Sequence, residues 1–144
     1  MPVGHPRRAK AGMLARRLAL LALFEDEFRP GSADAALARI ATERDVPDEV
    51  RDHAALIVGG VGKHRAELDR RIAVEAPLIP VPELGRVERT ILRSALYEVL
   101  YSAATPSGEP MHDAVSLARI YAGDAARRLV NGVLGSVSRS GGGA

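Results

Sequence analysis

Apolar residues recur at helical spacing along almost the whole chain, and no stretch keeps the period-two alternation that is typical of a half-buried strand. Only 3% of the residues are aromatic, although 47% are hydrophobic, so the core must be built mainly from Ala, Leu, Val and Ile. The 144 residues have the length of one domain. These features predict an all-α protein with six or seven helices packed in two halves.

Proline and glycine residues divide this pattern into separate helices. The first helix should bury a stripe that includes Leu14, Leu18, Leu21 and Phe28. Gly123 should end the fifth helix in the left-handed conformation. The predicted helices are 9–28, a second from a Ser32 N-cap to before Pro47, a third from Asp48 through Ile72, 83–103, 110–121, and a sixth capped by Asp124.

Three glycines interrupt the third predicted helix at positions 59, 60 and 62. Each costs about 1 kcal/mol relative to Ala in a helix interior. They either allow another helix to approach closely or mark a bend. Because the helical period resumes beyond them, the sequence predicts that this helix continues with a kink.

The domain organisation follows from the prolines at 77, 80 and 82 and from the composition of the two ends. We expect a flexible basic arm over 1–8 and one helical domain over 9–138, with halves at about 9–76 and 82–138. The glycine-rich end, 139–144, is expected to be disordered.

Several classes of function find no support in the sequence. The chain has no cysteine, no apolar run of the ~18 residues that a membrane span needs, and no signal peptide, so a soluble cytoplasmic protein is expected. The GGVGKH segment, 59–64, lacks both the first glycine and the final Ser or Thr of a phosphate loop. The histidines have no metal-ligand spacing, and no G-x-S-x-G elbow is present. The sequence therefore predicts no enzyme activity, no metal and no cofactor.

Positive charge is concentrated near the N-terminus. Residues 1–24 contain Arg7, Arg8, Lys10, Arg16 and Arg17 and no acid, whereas the remainder has 15 Lys and Arg against 18 acids. Locally dense positive charge is what phosphate attraction requires, so the pattern favours a nucleic-acid-binding arm. The alternatives are a solubilising tail or an ordinary charged helix end.

A second basic group, Arg127 and Arg128, lies in the first turns of the sixth predicted helix, shortly after Tyr121. Free backbone N–H groups at a helix N-terminus can bind phosphate, and a tyrosine ring can stack on an unpaired base. The equally weighted alternative is a half-buried core ring beside solvated arginines.

The motifs VERTILRSALYEVLY (87–101) and MHDAVSLARIYAGDAARRLVNGVLG (111–135) resemble those of the NusB transcription antitermination factors. The resemblance implies two three-helix-bundle halves and binding of boxA RNA together with the ribosomal protein NusE, in the antitermination complex on RNA polymerase. It also implies RNA-binding and partner-binding positions. The RNA-binding positions are Arg7, Arg8, Lys10, Arg16, Tyr121, Arg127 and Arg128, and the partner-binding positions are Phe24, Glu88 and Asp113.

The chain departs from the family pattern at His112 and Asp113, where N-E is usual, and at Leu129, where Phe is usual. Two other functions are compatible with the same helical pattern. One is a NusB-like RNA-binding domain detached from an RNA cytosine methyltransferase, and the other is a helical protein–protein adaptor.

Overall fold

The computed structural model of the chain describes residues 6–102 and 108–140, with the backbone alone at residues 6 and 7. The first part of the predicted arm (1–5), the end of the predicted fourth helix (103) and the GGGA end (141–144) lie outside the described residues. The described residues form six α-helices and one short 3-10 helix. The α-helices are α1 (Pro6–Phe28), α2 (Ala33–Glu43), α3 (Asp48–Glu75), α4 (Arg86–Tyr101), α5 (Gly108–Ala122) and α6 (Asp124–Arg139).

Helices α1, α4 and α5 begin at positions other than those predicted, and α5 begins at Gly108, two residues before the predicted start at 110. Helix α1 begins at Pro6, three residues before the predicted start, so residues 6–8 of the predicted arm are helical. Proline is well suited to a first turn, since its missing N–H would have no partner there. Helix α4 begins at Arg86 and not at 83, because Val81–Glu83 forms the 3-10 helix and Leu84 is extended.

The start of α2 depends on a residue that the sequence analysis did not identify. Ser32 makes no capping hydrogen bond, and its hydroxyl is buried without a partner. Instead, Oδ1 of Asp26 in α1 accepts hydrogen bonds from the N–H groups of Gly31, Ser32 and Ala33 at 2.8–3.2 Å. Ser32 is the N-cap residue of α2, as predicted, but within the described residues its side chain makes no capping bond, and Asp26 supplies the acceptor instead.

The junction between α5 and α6 also differs in detail. Gly123 ends α5 with a φ of 93°, which favours glycine, but its ψ of −176° is extended and not left-handed helical. The N-cap of α6 is Gly123 itself, and Asp124 is the first helical residue, so Asp124 is not the cap that the sequence predicted.

The buried apolar residues form one continuous core that includes residues of all six helices. Helix α1 contacts α2, α3, α4 and α5, and α4 contacts α1, α3, α5 and α6. Leu18 is fully buried as predicted, but Phe28 is 56% exposed, because α1 ends at that residue. The predicted inward position of Phe28 is therefore wrong.

The glycines of α3 have different roles. The helix is continuous through all three. The ring of Tyr97 in α4 lies directly against Gly60, in space that a Cβ atom would need, whereas Gly59 and Gly62 have open space beside them. Close approach of a neighbouring helix therefore explains Gly60 alone.

Charged residues also join α1 to α3 and α4. The carboxylate of Glu27, only 4% exposed, pairs with Arg65, Arg89 and Arg93. Arg93 also pairs with Asp69 in α3, with Nε 2.7 Å from Oδ1. These pairs fix the C-terminal end of α1 on the start of α4. Within residues 6–102 and 108–140, no helix is long and apolar enough to cross a membrane.

Candidate RNA interface and partner surface

Four side chains form a basic corner where α5 meets α6: Arg119, Tyr121, Arg127 and Arg128. Only Gly123 separates the two helices, so the last turn of α5 and the first turn of α6 are held together. Tyr121 is 39% exposed and is therefore on the surface, not in the core. The side chain of Arg128 is 69% exposed.

Asp124 is the acid of this corner, and it pairs with two of its arginines. Its Oδ1 accepts from Nε of Arg127 at 2.7 Å, and its Oδ2 lies 3.5 Å from Nε of Arg128. The hydrogen bond from Arg127, and then the nearby positive charges, hold the pKa of Asp124 below its usual value. Arg119 contributes to that positive field, although the sequence analysis overlooked it. The available signal was its place in the last turn of α5, two residues before Tyr121.

The N-terminus of α6 adds backbone donors to the corner. No side chain of the described residues caps this helix, and the carboxylate of Asp124 is directed to the arginines. The first N–H groups of α6 are therefore available to an anion. Asn131 on α6 is exposed, and Gly132 has open space around it.

Arg16 does not lie on the surface with the other predicted RNA-binding residues. It is 8% exposed; Nε and Nη2 donate to Oε1 and Oε2 of Glu98 at 2.8 and 3.0 Å, and Nη1 donates to Oδ2 of Asp113 at 2.7 Å. Burial alone would lower the pKa of Arg16, but its bonds to these two carboxylates outweigh burial and raise the pKa. The predicted direct contact of Arg16 with RNA is therefore corrected: its guanidinium is already bound inside the protein.

The remaining N-terminal basic residues lie on both sides of Arg16 along α1: Arg8 and Lys10 precede it by about two turns, and Arg17 follows it directly. Arg8 and Lys10 are exposed on the first turns of α1, where they can reach phosphate. The side chain of Arg7 lies outside the described residues. Arg17 is half-buried, and its Nε has no hydrogen-bond partner.

Two of the predicted partner-binding residues lie near the junction of α1 and α4. Phe24 is half-buried and packs edge-on against Phe28, with ring centroids 5.1 Å apart. The guanidinium carbon of Arg86 lies 4.5 Å above the Phe28 ring, a cation–π contact. We call Phe24, Phe28 and Arg86 the Phe28 surface; the sequence analysis identified only Phe24 of these three.

Glu88 lies in the first turn of α4, two residues after Arg86, where a carboxylate interacts favourably with the helix dipole. Its carboxylate lies beside Gly85, in the space that a Cβ atom on residue 85 would need. Asp113, by contrast, is bound to Arg16, which precedes Phe24 on α1 by eight residues, or about 12 Å along the axis. The structure therefore does not bring Asp113 together with Phe24 and Glu88.

The fold and these two surfaces define a small all-α domain with a basic corner and a separate aromatic surface. The chain belongs to the NusB family, whose family model matches residues 13–139.

Individual relatives agree with this assignment. The chain is 40% identical over 125 residues to the transcription antitermination protein NusB of Herpetosiphon aurantiacus, covering 85% of this chain and 86% of that protein. It is 32% identical over 126 residues to NusB of Dehalococcoides mccartyi, covering 88% of each. These relatives are matched over most of their own length, so the chain resembles whole antitermination proteins.

A similar fold is found in a solved crystal structure of the antitermination factors NusB and NusE in complex with double-stranded RNA. The TM-score is 0.81 at 26% identity, covering 92% of this chain and 98% of that one. The solution structure of NusB from Aquifex aeolicus has a TM-score of 0.76 at 25% identity, covering 90% and 88%.

Proposed function

We propose that this protein is a non-catalytic transcription antitermination factor that acts in the cytoplasm. It binds boxA-type nascent RNA together with a NusE-like ribosomal protein and joins the antitermination complex on RNA polymerase. Family membership and the antitermination proteins among its relatives support this proposal.

The observation that carries the RNA-binding part is the basic corner. An exposed tyrosine in the last turn of α5 is followed directly by an uncapped helix N-terminus, where three arginines surround Asp124. The arginines and free N–H groups suit phosphates, and the ring of Tyr121 suits an unstacked base. The exposed Arg8 and Lys10 of α1 add positive charge, which supplies affinity with little sequence preference.

The Phe28 surface supports the partner-binding part. Phe28 is more than half exposed although it is one of only two phenylalanines in the chain. Exposed aromatic rings are enriched at interfaces. Glu88 nearby on α4 provides a carboxylate that a basic ribosomal protein can pair with.

The RNA-binding part is tested by reversing the charge of two arginines. Replacing Arg127 and Arg128 by Glu should abolish specific binding of a labelled boxA-like RNA. It should also flatten the dependence of log affinity on log salt by about 0.7 per lost phosphate contact to a single strand. The protein should stay folded, because the two arginines lie at the surface and pair with the exposed Asp124, and surface substitutions of this kind change stability little.

A matched control distinguishes an effect of the basic corner on RNA binding from an effect of net charge alone. Replacing Arg44 and Arg70 by Glu changes the net charge by the same amount. Both residues are exposed; Arg44 lies at the end of α2 and Arg70 lies on α3. This control should keep most of the boxA affinity. Equal losses in the two double variants, or undiminished binding by the corner variant, would refute an RNA interface at the corner. Single-stranded and duplex forms of the same RNA are compared in each titration.

A further inference from the structure

The guanidinium of the buried Arg16 is bound at a point closer to the N-terminus of α1 than the backbone of Arg16 itself. Its Nη1 atom lies 2.8 Å from the position that a Cβ atom on Gly12 would occupy. The guanidinium therefore extends back along α1 by one turn, into space that is open only because residue 12 is a glycine. It is this same Nη1 atom that donates to Asp113 of α5.

The two carboxylates on Arg16 hold different parts of the fold. Glu98 accepts from Nε and Nη2, which ties α1 to α4, and it is also 3.1 Å from Nε2 of His53 in α3. Asp113 accepts from Nη1 alone and ties the turn around Gly12 to α5. Loss of the Asp113 carboxylate therefore removes the bond between α1 and α5 beside Gly12, while Arg16 keeps its paired bonds to Glu98.

Arg8 and Lys10 lie within one turn of Gly12 and are exposed. We infer that Arg16 and Asp113 are positioning residues for RNA binding: through the contact over Gly12 they fix the direction of the first turns of α1 and so present Arg8 and Lys10 to the RNA backbone. This inference rests on the proposed function, since it specifies how one part of the RNA-binding surface is held.

Asp113→Asn gives the sharpest test, because the positional and electrostatic effects have opposite signs. The substitution removes one negative charge, which by itself strengthens attraction to RNA. If Asp113 positions α1, RNA affinity should instead fall by about fivefold or more. The matched control is Glu25→Gln, which removes the carboxylate paired with Arg39 at the other end of α1. That control should leave RNA affinity unchanged or slightly stronger.

Gly12→Ala is an independent second variant. Alanine favours a helix more than glycine does, so α1 itself should become more stable. The new Cβ atom would lie 2.8 Å from Nη1 of Arg16, however, so this end of the flexible side chain must shift, which disturbs its bond to Asp113. We expect higher thermal stability or none lost, together with the same fall in RNA affinity. If Arg16 and Asp113 affected only the stability of the fold, RNA affinity would not fall without a loss of thermal stability.

The experiment combines Asp113→Asn with Arg8→Ala and Lys10→Ala in a double-mutant cycle, using the full chain and a labelled boxA-like RNA at low salt. In the alanine background the effect of Asp113→Asn should shrink to less than about twofold. An effect of undiminished size there, or tighter binding by Asp113→Asn in the parent, would overturn the inference. A parent that binds no RNA would instead refute the proposed function and this inference together.

Discussion

Gly60 provides a quantitative test of the packing between α3 and α4. An alanine there would place its Cβ atom within the ring of Tyr97. That ring is part of a stack in which His64 and Tyr101 have centroids 3.9 Å apart and Tyr97 lies about 6 Å from each. Tyr97 would have to move as a whole, because the atoms that clash belong to the rigid ring.

The expected magnitude is the difference between two effects. Replacing a helical glycine by alanine gains about 0.5–1 kcal/mol. Overpacking costs about 1–3 kcal/mol, and each disturbed aromatic pair adds about 0.5–1.5 kcal/mol. Tyr97 takes part in two such pairs, so Gly60→Ala should destabilise the protein by about 1–5 kcal/mol.

Gly59→Ala is the matched control, since it makes the same change in the same helix at an exposed position with open space beside it. It should stabilise the protein by about 0.5–1 kcal/mol. The two variants should thus differ by roughly 2–6 kcal/mol, or about 6–18 °C in Tm for a chain of this size.

Thermal and urea unfolding followed by circular dichroism measure both variants. The urea slope should be unchanged, because the surface exposed on unfolding is nearly the same. If Gly60→Ala is as stable as Gly59→Ala, the ring of Tyr97 does not restrict residue 60 in the way the structure describes, and the reasoning is refuted.

Four further outcomes are expected. Tyr121→Ala should cost roughly 1–3 kcal/mol of RNA affinity and leave the dependence of log affinity on log salt unchanged. A weaker dependence on salt would show that the ring acts only through the charges of its neighbours. Asp124→Asn should strengthen RNA binding, since it releases Arg127 from an ion pair; weaker binding in a titration at fixed salt would contradict this. Phe28→Ala should weaken binding of a NusE-like ribosomal protein, as a pull-down would show, and calorimetry should show a loss of stability of about 1–2 kcal/mol from the lost contacts with Phe24 and Arg86. Burial raises the pKa of Glu98, but hydrogen bonds from His53 and Arg16 outweigh burial and lower the pKa. The stability of the protein should therefore fall as the pH drops below about 4.3, and Glu98→Gln should make stability less dependent on pH in this acid range.

The sequence predicted the helices well, because the apolar period and the proline and glycine breaks are local signals. It also located the basic corner, since Tyr121 and Arg127 are close along the chain. It failed for Arg16, whose partners are 82 and 97 residues away. From the sequence, an arginine among other N-terminal basic residues is expected to be exposed. Only the fold shows the two carboxylates that bind the guanidinium of Arg16.

The same reason explains the other differences. Asp26, and not the side chain of Ser32, supplies the acceptor at the start of α2 through a reversal of the chain that local pattern does not encode. Phe28 continues the apolar stripe of α1 but falls at the last residue of the helix, beyond the reach of the core. Gly60 and Gly59 are equivalent in the sequence, and only the position of Tyr97 distinguishes them.

The cap of α2 has a consequence for local unfolding. An 11-residue helix is marginal by itself in water, and the first N–H group of α2, that of Ala33, is held together with those of Gly31 and Ser32 by a carboxylate of α1. When the last turn of α1 opens, Asp26 moves away and the start of α2 loses its acceptor at the same moment. The two segments therefore form one cooperative unit, and their amide hydrogens exchange with solvent through a shared opening.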